Sequence, residues 1–76
     1  MNATTEFIIS QLPRTPLLSP ADISAAYGLA TTKSILDDIK TGKLAANMIG
    51  GKYVISRDAA RDYIAANEYI PDEGTL

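Results

Sequence analysis

The side chains best suited to chemistry in this chain are charged, and they are unevenly placed. Lys33, Lys40, Lys43, Lys52 and Arg57 fall between residues 31 and 57, against only Asp37 and Asp38. Outside that stretch Glu6, Asp22, Asp58, Asp62, Glu68, Asp72 and Glu73 outnumber Arg14 and Arg61. The net charge of -2 therefore hides a basic centre between acidic ends, a pattern that permits one positive face. Such a face suits phosphate, whose binding comes largely from Lys and Arg. The hydroxyls of Thr31, Thr32 and Ser34 lie beside the first of these cations.

Other chemistries are poorly served. There is no histidine, which removes the commonest general base and metal ligand, and no cysteine for a disulfide or thiolate site. The adjacent carboxylates Asp37 and Asp38 diverge by about 100° on a helix and do not converge on one atom. An enzyme is not expected, nor a metal or cofactor. The 76 residues allow one small domain, with the 46% hydrophobic and 21% charged composition of an ordinary soluble protein. No apolar run is long enough to span a bilayer, and no signal-peptide pattern opens the chain; a cytoplasmic protein with no membrane partner is expected.

The elements that must carry these residues can be read in order. Residues 1–16 form a leader and a Pro-containing linker. "TEFIISQL" suits either a short helix capped by Thr4 or Thr5, or an extended apolar arm. "LPRTP" fixes an extended connection. Ser19 is an N-cap, Pro20 opens the helix, Asp22 completes a capping-box-like pattern, and Gly28 stops it. A second helix starts near Thr31 or Thr32 and buries Ile35, Leu36 and Ile39. It turns Lys33, Ser34, Asp37 and Thr41 outward and ends at Gly42. Two short helices joined through glycine form a helix-turn-helix arrangement. "LAANMIGGKYVIS" then reads as two strands around a Gly50-Gly51 turn. A closing helix runs from the Ser56 cap to about Asn67, with Ala60, Tyr63 and Ile64 inward. Residues 68–76 are an acidic tail with little to bury, expected to be flexible.

"LLSPADISAAYGLATTKSILDDIKTGKL" followed by "MIGGKYVISRDAARDYI" resembles the small winged helix-turn-helix proteins of the excisionase (recombination directionality factor) and MerR-like group. The resemblance covers about Leu17 to Ile64. It differs from the family in reading "GLATTKSI" through the turn and in carrying Asp37 and Asp38 on the second helix. It implies an α+β winged helix-turn-helix fold over residues 17–67, with about three helices and a two-stranded β-hairpin wing.

The resemblance also implies double-stranded DNA as partner. The second helix would enter the major groove with Thr31, Thr32, Lys33 and Ser34 near base edges. Thr31 can equally serve as a plain cap. Asp37 would accept from a cytosine amino group or simply pair with Lys33 or Lys40. Lys40 and Lys43 flank the helix C-terminus, where positive charge is favoured without DNA, and Lys43 leads into the wing. The wing would present Gly50, Gly51 and Lys52, with Tyr53 either packed inward or laid along the sugar-phosphate backbone. Arg57, at the unfavourable end of its helix dipole, calls for an external anion. Arg14 suits either a minor groove or plain solvent. The implied function is that of a phage or prophage excisionase. Such a protein bends DNA, self-associates on it, steers an integrase towards excision and also regulates transcription. Two alternatives stand beside it: a transcriptional repressor or activator on the same fold, and a protein-interaction module that does not bind DNA.

Overall fold

Three of the four helices among the described residues begin at a side chain that accepts from their free N–H groups: Asn2, Ser19 and Ser56. The computed structural model describes residues 1–28 and 32–69. Among them the elements are α1 (Ala3–Ser10), β1 (Leu17–Leu18), α2 (Pro20–Tyr27), α3 (Lys33–Lys40), β2 (Asn47–Ile49), β3 (Lys52–Ser56) and α4 (Arg57–Ala66). The protein is thus a small mixed α+β fold. Its four helices and three-stranded antiparallel sheet replace the expected three helices and two-stranded hairpin. No helix among the described residues is long and apolar enough to cross a membrane.

The extra helix comes from the leader. Neither Thr4 nor Thr5 caps it. The Asn2 side chain does, accepting from the Thr5 N–H at 2.8 Å, and asparagine is as good a cap as any residue. With the start two to three positions earlier than expected, Thr5 is buried within the helix, and Ile8 and Ile9 lie against the core. The helix packs on α2 and α4, and Leu12 just beyond it is buried with them. The leader therefore shares the core of the domain.

The extra strand is β1. Leu17 and Leu18 pair with Ser56 and Ile55 of β3 on the side opposite β2, giving the order β1-β3-β2. β2 covers Lys52 to Val54 on one edge of β3, and β1 covers Ile55 and Ser56 on the other. Two residues carry no periodicity, and a strand this short exists only because its partner is already in place.

The remaining elements follow their sequence signals. Ser19 and Asp22 form a complete capping box, with reciprocal bonds of 3.2 Å and 2.9 Å, and Pro20 takes the first helical position. Gly28 ends α2 in the left-handed region at φ 74°. α3 closes with a Schellman motif: Lys43 N–H donates to the Asp38 carbonyl at 2.8 Å, and Gly42 N–H to that of Ile39 at 3.2 Å. In α3, Ile35 is buried and Leu36 and Ile39 half-buried, as their spacing predicts. Ser56 caps α4 by accepting from Ala59 N–H at 3.1 Å, and Ala60, Tyr63 and Ile64 point inward. Ile23, Leu44, Ile55 and Ile64 are the largest fully buried side chains, so α2, the end of α3, β3 and α4 meet at one centre. Residues 29–31 and 70–76, which include Thr31 and most of the acidic tail, lie outside the described residues.

Candidate nucleic-acid interface

The hairpin projects beyond the helices, and its register shows how. β2 pairs with β3 through Asn47 and Val54, Met48 and Tyr53, and Ile49 and Lys52. Alternation places Met48 and Tyr53 on the face that carries the buried Ile55, with Ile49 and Lys52 on the other. Yet Met48 is 57% exposed and Ile49 59%, one on each face. A strand pair exposed on both faces has left the core behind. Its tip is turned by Gly50 and Gly51 at φ 57° and 78°, both positive as a tight type I′ hairpin turn requires. Lys52 follows at once and is exposed, whereas Tyr53 is half-buried.

On α3, Lys33, Ser34, Asp37 and Lys40 are exposed, and so is Thr41 just beyond its end. Lys43 is also exposed, with its backbone held by the Schellman bond to Asp38, so its side chain leaves the helix end from a fixed point. Thr32 stands at the N-cap position but makes no side-chain capping bond. Its backbone lies in the helical region at φ -93°, ψ -4°, where the hydroxyl is not aimed at the first free N–H groups. The Thr32 hydroxyl is therefore not consumed by the helix. Thr31 falls among the residues not described.

The two aspartates of α3 part company. Asp37 faces outward; Asp38 is half-buried and accepts a hydrogen bond from the Tyr63 hydroxyl of α4. Burial first, and then that bond to a carboxylate, push the Tyr63 phenol up to about 12. The Tyr27 ring meets Tyr63 edge-on, with centroids 6.5 Å apart and planes at 87°. Asn67 donates to the Tyr27 hydroxyl at 3.2 Å. Burial raises the Tyr27 phenol, the Asn67 bond works the other way, and the Asp38 charge adds a smaller rise. Helices α2, α3 and α4 are thus tied by a polar cluster at the edge of the core. A signal for it existed in the sequence: Asp38 follows Ile35 by three positions, beside the buried stripe rather than opposite it.

Comparison with protein-family models, with curated proteins and with solved structures found no match for this chain.

Arg57 lies apart from α3 and the hairpin tip. Its guanidinium donates from one terminal nitrogen to the Pro13 carbonyl, and its backbone N–H donates to the Pro16 carbonyl at 3.1 Å. An external anion was the expected explanation for this cation; the chain itself also supplies it with an acceptor. What the sequence did not reveal is the neighbour. The turn that accepts these bonds brings Arg14 to the same cleft as Arg57. The expected site residues therefore fall into three groups: the outer face and end of α3, the hairpin tip with Lys52, and Arg57 beside the Pro-rich turn.

Proposed function

We propose that the protein is a sequence-specific DNA-binding protein of winged helix-turn-helix type, acting as an excisionase that bends DNA at a recombination site. The observation that carries this reading is the pairing of two exposed cationic elements. One is a short helix whose outer face bears Lys33, Ser34 and Lys40 and whose end bears Lys43. The other is a glycine-turned hairpin that projects from the core and ends in Lys52. In this arrangement α3 enters the major groove, with Thr32, Lys33 and Ser34 at base edges, and Lys52 reaches phosphate or the minor groove. Asp38 takes no part in base readout, since it is engaged by Tyr63. That leaves Asp37 as the one aspartate on the reading face.

A single unit of this size makes few phosphate contacts, so useful affinity calls for several copies on the DNA. An integrase is the partner implied by an excisionase role; a promoter would be the target of a plain repressor or activator, which would use the same residues. A protein-docking role has one observation in its favour: Leu17 and Ile49 lie exposed beside Val54 on the outer face of the sheet.

A mobility-shift titration on the DNA flanking the gene for this chain separates these readings. The DNA reading expects binding that weakens steeply as salt rises. Lys52→Ala should lower the slope of log K against log salt by about 1 and weaken all sequences alike, whereas Thr32→Ala should change preference between sites. Absence of any shift at low salt would overturn the DNA reading in favour of protein docking.

A further inference from the structure

The turn between α1 and β1 does more than connect them. Thr15 donates its hydroxyl to the Leu17 carbonyl at 2.8 Å, and the carbonyls of Pro13 and Pro16 both accept from Arg57. These bonds wrap residues 13–16 around the first residue of α4. The result is an open cleft of about 290 Å³ lined by Arg14, Thr15, Pro16 and Arg57.

Two guanidinium groups line this cleft, and neither forms an ion pair with a carboxylate among the described residues. Asp58 is the nearest carboxylate in sequence. It lines a different groove, with Arg61 and Asp62. Like charges placed together without a counter-charge repel, and the positive end of the α4 dipole adds to the same field. Arg57 is half-buried and already oriented through one terminal nitrogen, which leaves the rest of its planar fork for a second acceptor. Arg14 makes no hydrogen bond or ion pair among the described residues, and the carbonyls of Pro13 and Pro16 on either side of it are both held by Arg57. Presenting it costs little further ordering of the main chain.

We propose that Arg14 and Arg57 form a binding site for a phosphate group, separate from α3 and from the hairpin tip. Guanidinium forks match the tetrahedral oxyanion, and the cleft has room for it. The source of the phosphate rests on the DNA-binding reading: in the complex it is a backbone phosphate of the duplex, held outside the base-reading elements. Arg57 then both orders the turn and contacts the ligand, while Arg14 contacts the ligand alone.

The test uses the full chain and Arg14→Ala, a change that removes no hydrogen bond or ion pair among the described residues. In the first arm, inorganic phosphate is titrated at constant ionic strength while the amide resonances of Thr15, Arg57 and Asp58 are followed. Saturable shifts are expected, with affinity about tenfold weaker in Arg14→Ala, the loss of one charge-assisted hydrogen bond. In the second arm, the duplex titration is repeated over a range of salt, and Arg14→Ala should lower the slope by about 1. Arg14-dependent shifts with phosphate, or a reduced slope with duplex, support the site. Shifts with phosphate but no duplex binding keep the site, make free phosphate or a small phosphate compound its ligand, and overturn the DNA reading. Neither Arg14-dependent shifts nor a change of slope overturns the site, whatever the duplex itself does.

Discussion

Replacing Tyr63 with phenylalanine removes one hydroxyl and tests how α3 is held against α4. The ring stays buried and its packing on Tyr27 is kept, so the change is confined to the hydroxyl, whose main bond is donated to Asp38 and which also meets the Asn67 side chain. A hydrogen bond to a charged group contributes about 1.5–3 kcal/mol. Asp38 is only half-buried and can be rehydrated, which points to the lower end of that range. For a domain of this size a loss of about 1.5 kcal/mol corresponds to a fall of roughly 6–12 °C in Tm. Urea unfolding at pH 7 should show a lower midpoint with an unchanged slope.

The pH dependence gives an independent check. The Tyr63 phenol is raised from 10.0 to about 12 in the folded protein. Between those values the native state holds a proton that the unfolded chain has released, so stability falls as pH rises through the window. The full contribution is present below pH 10 and is lost progressively as pH rises towards 12. Tyr63→Phe lacks that titration, while Tyr27 titrates in both proteins. The stability gap between wild type and variant should therefore close on going from pH 7 to pH 12. An unchanged midpoint at pH 7, or a gap as wide at pH 12 as at pH 7, would refute the role assigned to this bond.

Two further expectations concern the hairpin and the chain ends. Gly51→Ala meets no neighbouring atom within 4 Å, so its cost comes from the backbone at φ 78° alone, about 1–2 kcal/mol. That loss should appear in urea unfolding and as faster amide exchange confined to residues 47–54. Glu68 accepts from the Asn2 N–H at 2.7 Å, and its carboxyl is held below the usual range, first by the Thr5 hydroxyl and then by that N–H. Its contribution is present above its unfolded value and lost as pH falls through the lowered one. Glu68→Gln should remove this dependence, and the protection of the Asn2 amide in wild type, relative to its intrinsic exchange rate at each pH, should fall to that of the variant as pH drops through the lowered value.

Much of the fold was legible because its signals are local. Ser19 with Asp22, Ser56 with Ala59, and the glycines 28, 42, 50 and 51 act within a few residues of themselves. The buried stripe of α3 likewise needs only the helical period. Leader and linker were less legible. "TEFIISQL" has β-branched residues that suit either conformation, and its choice of helix depends on what Thr5, Ile8 and Ile9 pack against. β1 has no local signal of its own.

The same division runs through the candidate site. Local patterning turned Lys33, Ser34, Asp37 and Thr41 outward and placed Lys52 after a two-glycine turn, because side-chain direction follows backbone period. Helical spacing thus kept Asp37 outside, but the partner of Asp38, the Tyr63 hydroxyl twenty-five residues away in the chain, was decided by packing. The meeting of Arg14 with Arg57 was decided by carbonyls of the Pro-rich turn. Periodicity reports which way a side chain points. Which distant group it then meets depends on how the helices and strands pack, and that is a property of the folded chain alone.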